Sequence, residues 1–143
     1  MFQNILLATD GSKYATYAAE AVLGLVKEFQ NKDREIILLH VSDTPPTRSQ
    51  LMQADLDVQS VLREKAGKAV ASTEQKFAEA DVAYTLEVAL GDPADGIVDF
   101  AKTNDIDLII IGSRGLGAVG SVLLGSVSRR VAHEAPCPVM IVK

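Results

Sequence analysis

The sequence predicts a single doubly wound α/β domain spanning 1–143, with helices on both faces of a parallel sheet. Two observations carry this. Five short apolar runs alternate along the chain with segments of helical period. Most of those runs are apolar at consecutive positions rather than at every second one, as strands covered on both faces require. The chain has 143 residues, 48% hydrophobic and 23% charged, which suits one globular domain with a real core.

The elements follow in order. The first run is Ile5-Leu6-Leu7-Ala8, ending in Thr9-Asp10-Gly11-Ser12. Ala15, Ala18, Val22, Leu25 and Phe29 then step by three and four, which predicts a helix with one apolar face. The second strand is predicted at Ile36–Val41 and the third, which alternates more, at Ala83–Leu90. Between them lies the segment 42–55, whose Pro45-Pro46 forbids a helix there, and after it a helix marked by Leu62, Ala66, Ala69, Thr73, Phe77 and Ala80. The long connection leaves the end of the second strand, so it reads either as a flap over a site or as a surface loop. Asp92-Pro93 is a helix start, a capping carboxylate followed by proline at the first helical position. Ala94, Ile97 and Ala101 continue that helix, Leu108–Ile111 make the fourth strand, and Val139–Val142 the fifth. The order is βαβαβαβαβ.

Charge and composition narrow the function. The net charge is −5 and the basic residues are scattered, with Arg129-Arg130 the one adjacent pair, so no nucleic-acid face is expected. No apolar run reaches the roughly 18 residues of a membrane span. The opening MFQNILLATDGSKY lacks a charged leader and is patterned as a strand, which predicts a cytoplasmic protein. The single cysteine, Cys137, cannot form an internal disulfide. Two histidines and one cysteine make no metal-ligand cluster, and no metal site is predicted.

The informative stretch is GSRGLGAVGSVLLGSVSRR, from Gly112 to Arg130, directly after the fourth strand. Gly115-Leu116-Gly117-Ala118-Val119-Gly120 fits the G-x-G-x-x-G dinucleotide fingerprint, but that motif belongs in a first strand-to-helix turn with an acid about 20 residues on. Here it follows the fourth strand, and about 20 residues downstream lies the last strand, Val139–Val142, which carries no acid. A second spacing is more informative: Gly112, two residues, Gly115, nine residues, then Gly125-Ser126. Gly112 is expected to let another molecule approach the backbone. Ser126 is expected to cap a helix beginning at Val127. The N–H groups of Ser126, Val127 and Ser128 then point out of a helix N-terminus, where the dipole favours an anion, and Ser126 and Ser128 add hydroxyls. The plainer reading is a glycine-rich surface loop with a routine cap.

With these residues the chain resembles the universal stress protein family over its whole length. Gly112-x2-Gly115-x9-Gly125-Ser126 matches the pattern of the family's ATP-binding branch. Ile5–Ser12, His40-Val41, Gly91-Asp92-Pro93 and Pro136-Cys137-Pro138-Val139 agree as landmarks. The resemblance implies a five-stranded parallel sheet of order 3-2-1-4-5, Rossmann-like, a homodimer through the C-terminal strand 138–142, and a role in stress adaptation. It implies ATP as ligand, with Mg²⁺ as a candidate companion. Asp10 is expected near the adenosine and Val41 to contribute backbone to the adenine pocket, with Ala8 and Thr9 as neighbours. Gly112, Ser113, Arg114, Gly115, Gly125, Ser126, Val127 and Ser128 are expected to hold ribose and phosphates. Arg114 is the one cation inside the motif, able to meet a phosphate or to remain a solvated loop arginine.

An enzyme finds little support. Phosphoryl transfer wants a cationic clamp, metal ligands and a positioned base. No Gly-Lys-Ser/Thr loop occurs, and Thr9-Asp10-Gly11-Ser12 stands where related ATP-cleaving enzymes carry a pyrophosphatase loop. His40 reads as a structural histidine and Cys137 as a small buried thiol. Slow ATP hydrolysis remains compatible with the sequence. A nucleotide-binding regulatory protein with an unnamed protein partner is the preferred reading. A small hydrolase using Asp10 with Mg²⁺, and a dimeric interaction module without nucleotide, are the alternatives. The last strand, short, apolar and at the expected sheet edge, invites pairing with another chain.

Overall fold

The computed structural model describes residues 2–29, 33–116 and 123–143. Gly117–Gly120 of the dinucleotide-like fingerprint lie outside them. The elements are β1 (Asn4–Ala8), α1 (Lys13–Glu28), β2 (Glu35–Ser42), α2 (Arg48–Gln53), α3 (Val58–Glu79), β3 (Thr85–Leu90), α4 (Pro93–Thr103), β4 (Leu108–Gly112), α5 (Ser126–Glu134) and β5 (Val139–Val142).

All strand pairs are parallel and the order is β3-β2-β1-β4-β5. The period of two along β1 sends its side chains to opposite cores. Leu6 and Ala8 pack with Ile97 and Ala101 of α4 and Val131 of α5. Ile5 and Leu7 pack with Ala18 and Val22 of α1 and with Val70 and Phe77 of α3. Each large side chain buried in this way contributes about 1.5–3 kcal/mol of transfer free energy. Strand β1 lies between β2 and β4, with Leu7 beside Leu38 on one side and Ile110 on the other. The chain leaves β1 into α1 on one face and β4 towards α5 on the other. A crevice therefore opens between the carboxyl ends of β1 and β4, the switch point of the sheet.

Three expectations are corrected. The third strand begins at Thr85, not Ala83, because Tyr84 turns to α3, where its ring meets Phe77 edge-on at 5.4 Å and its hydroxyl donates to Glu74. The segment 42–55 is not wholly irregular. Thr47 accepts from the Gln50 N–H at 3.2 Å while the Gln50 side chain accepts from the Thr47 N–H at 2.9 Å, a capping box that starts α2 just after the prolines. Finally, Ser126 is not the cap of α5. Gly125, at φ −70 and ψ 163, is the N-cap, and Ser126 is the first helical residue.

Candidate functional site

The crevice is a cavity of about 480 Å³ between the ends of β1, β2 and β4 and the first turns of α4 and α5. Its β1 side is the TDGS turn. Ser12 caps α1 by accepting from the Ala15 N–H at 3.2 Å. Asp10 does not cap the helix. One carboxylate oxygen accepts from the Ser12 N–H and the other from the Leu116 N–H, both at 2.9 Å. Asp10 thereby joins the β1–α1 turn to the glycine loop. Thr9 is buried, and its carbonyl faces Nδ1 of His40 at 2.9 Å. A carbonyl only accepts, so Nδ1 carries the proton, and His40 itself also lines the cavity.

The glycine loop is closed at its base by one peptide. The Ser113 carbonyl accepts from the Gly125 N–H at 2.7 Å and from the Ser128 hydroxyl at 2.8 Å. The Ser113 N–H donates to the Val142 carbonyl of β5 at 2.7 Å. Ser113 and Gly125, which flank the nine-residue spacer of the motif, thus meet. From that closure α5 starts with the N–H groups of Ser126, Val127 and Ser128 unpaired within the chain among the described residues. All three residues line the cavity, so a helix N-terminus carrying partial positive charge faces it.

Of the twelve residues singled out from the sequence, Ala8, Thr9, Asp10, Val41, Gly112, Arg114, Gly115, Gly125, Ser126, Val127 and Ser128 line this cavity. Ser113 does not: it is fully buried, and its hydroxyl has no hydrogen-bond partner among the described residues. Three other expectations change in kind. Gly112 is required by its own chain, because a Cβ there would lie 2.7 Å from the Tyr14 carbonyl carbon of α1. The Ser128 hydroxyl is committed to the Ser113 carbonyl and is not a free donor. The Arg114 guanidinium sits on the Tyr14 ring, 4.3 Å from its centroid.

Sequence reasoning passed over the α4 wall. Pro93 and Ile97, one helical turn apart, line the cavity, as do Asp43 and Leu116. In the sequence Ile97 marks only the period of that helix. Gly96 was a usable signal: a Cβ there would come within 2.9 Å of Val41, so a glycine is needed for α4 to close on the end of β2. Arg130 of α5 ties this wall to the N-terminus of α5. It pairs with Asp92 at 2.9 Å and with Asp95 and Glu134. The Asp95 N–H, and with it the Arg130 charge, holds the Asp92 carboxyl below the usual carboxylate range.

Together these features define a Rossmann-like α/β protein with an anion-receptive crevice at its switch point. The chain belongs to the universal stress protein family, whose family model matches residues 1–143. It is 38% identical over 149 residues to a Thermus aquaticus protein named as the universal stress protein in the QAH/OAS sulfhydrylase 3′ region, with 100% of both chains covered. It superposes on the solved MJ0577 protein of Methanocaldococcus jannaschii with a TM-score of 0.77 and 29% identity, covering 100% of this chain and 96% of that one. An Arabidopsis thaliana member solved with AMP bound shares the fold at a TM-score of 0.66 and 23% identity, covering 99% and 91%.

Proposed function

We propose that this protein binds an adenine nucleotide, ATP by the spacing of its glycine loop, and acts as a nucleotide-dependent regulatory protein in stress adaptation. The observation that carries the reading is the α5 N-terminus, with three unpaired N–H groups and the Ser126 side chain on a cavity whose glycine loop closes on the Ser113 carbonyl. Phosphates would rest on those N–H groups and on the Ser126 hydroxyl, beside Gly115 and Gly125. The ribose would lie near Asp10, and the base between Val41 and Ile97, with Ala8 and Thr9 behind it. The Arabidopsis thaliana relative, which shares the fold, was solved with AMP bound. Among the described residues no three metal-binding side chains are gathered, so Mg²⁺ would enter on the phosphates rather than on a protein site.

The groups that would serve an enzyme, although they line the cavity, already make contacts within the chain. Asp10 accepts two N–H groups, Nδ1 of His40 donates to Thr9, and the Arg114 guanidinium stacks on Tyr14. This favours binding with at most slow hydrolysis. The same reading makes the protein a cytoplasmic homodimer that pairs through 138–142 and presents a nucleotide-dependent surface to a protein partner. It draws support from β5 being an edge strand.

The test begins with denaturing freshly purified protein and identifying any nucleotide released, then titrating the emptied protein with ATP and NAD by calorimetry. ATP binding near one per chain, lost in Ser126→Glu, is expected. A folded protein that neither releases nor binds nucleotide would leave the interaction-module alternative in its place. Light scattering showing only a monomer would remove the dimer.

A further inference from the structure

The loop's cation is held away from the place its sequence position suggests. Arg114 is the one arginine or lysine among the described residues that line the cavity. Its Cζ lies 4.3 Å from the Tyr14 ring centroid, and its Nε is buried with no hydrogen-bond partner among the described residues. A guanidinium gives up hydration more readily than an ammonium and gains from the face of an aromatic ring, so the ring compensates for part of what Nε lacks. Tyr14 is itself braced. Tyr17 meets it edge-on at 6.0 Å and 86°, the Lys13 ammonium lies 5.1 Å from the ring centroid, and the backbone of Tyr14 abuts Gly112. Tyr14 is not among the residues lining the cavity. The guanidinium is therefore docked on the α1 side, while the unpaired N–H groups of α5 face the cavity from the other wall.

We infer that Tyr14 is a specificity-determining residue of this site: by holding the Arg114 guanidinium against α1, it keeps that charge off the phosphate chain. The inference rests on the nucleotide reading. Phosphates are then met by backbone N–H groups and a hydroxyl alone. Such a cradle seats the phosphates it touches and adds no full cation for the further charge of a triphosphate. Discrimination between ATP and AMP is correspondingly modest. Removing the aromatic face releases the arginine, whose bidentate charge-assisted bonds favour the longer phosphate chain.

Calorimetric titration with ATP and with AMP tests this in the unmutated protein, Tyr14→Leu, Tyr14→Phe and Tyr14→Leu/Arg114→Met. The ATP-to-AMP affinity ratio is expected to rise about tenfold in Tyr14→Leu, as one charge-assisted hydrogen bond supplies. It is expected to stay at the unmutated value in Tyr14→Phe, which keeps the ring, and to return to that value in the double variant. Tyr14→Met replaces Tyr14→Leu if the latter does not melt cooperatively. An unchanged or reduced ratio in the folded ring-less variant overturns the proposal. So does a selective loss of ATP affinity in Arg114→Met alone, which would place the guanidinium on the phosphates already. If the unmutated protein binds neither nucleotide, the nucleotide reading itself fails; if it binds and the ratio does not move, only the role of Tyr14 does.

Discussion

The hydroxyl of Ser128 donates to the carbonyl of Ser113 at 2.8 Å, and the same carbonyl accepts from the Gly125 N–H at 2.7 Å. These two bonds close the glycine loop and hold the first turn of α5 over β4. Ser128 is buried, and so is the carbonyl it satisfies. Ser128→Ala leaves that carbonyl one partner and is expected to cost about 1 kcal/mol. Chemical denaturation measures the loss, and a severalfold weaker ATP affinity in the same variant would follow from a loosened cradle.

Two of the motif glycines, Gly112 and Gly125, differ in what they do. In Gly112→Ala the new methyl lies 2.7 Å from the Tyr14 backbone, which has no rotamer to change, so α1 must shift at about 1–3 kcal/mol. In Gly125→Ala the nearest atom is the Arg114 Cα at 3.4 Å, and the backbone is extended, so the fold should hold. Comparing the two melting temperatures checks this. A Gly125→Ala protein less stable than Gly112→Ala would contradict it.

Asp10→Asn separates charge from geometry. Both carboxylate oxygens accept N–H groups, from Ser12 and Leu116, whereas an asparagine has one acceptor oxygen and an amide that only donates. One of the two bonds must fail, for an expected loss of about 1–2 kcal/mol. Faster amide exchange at Leu116, with Ser12 still protected, would identify the released end as the glycine loop.

Tyr84 predicts an alkaline limit. Burial, reinforced by the Glu74 carboxylate that accepts its hydroxyl, pushes the phenol from 10.0 up to about 12. The folded form therefore holds its proton where the unfolded chain has lost it. This contribution is complete below about pH 10 and disappears as pH rises through about 12. Of the three tyrosines, one should show phenolate absorbance only at the upper end of this range. Tyr84→Phe should remove the late component and flatten that part of the stability profile.

The apolar runs and helical periods of the sequence determined the order of elements apart from α2, and the burial on α1, α3 and α4 follows them except at Phe29 and Ala80, the exposed C-caps of α1 and α3. Ala94, Ile97 and Ala101, read as one face, are all buried. The spacing of Gly112, Gly115 and Gly125-Ser126 was legible for the same reason. A helix start preceded by conformationally free residues is a local feature, written in consecutive positions.

What the tertiary structure alone decided is which atoms those residues meet. Gly112 spares a helix, the Ser128 hydroxyl serves a carbonyl fifteen residues earlier, and Arg114 rests on a tyrosine from α1. Each is a contact between segments brought together only when β1 and β4 pair at the centre of the sheet. A residue's type states what it can bond, whereas its partner is chosen by the packing of elements distant in sequence. That is why the glycine spacing could be read from the chain, while the stacking of Arg114 on Tyr14 could not.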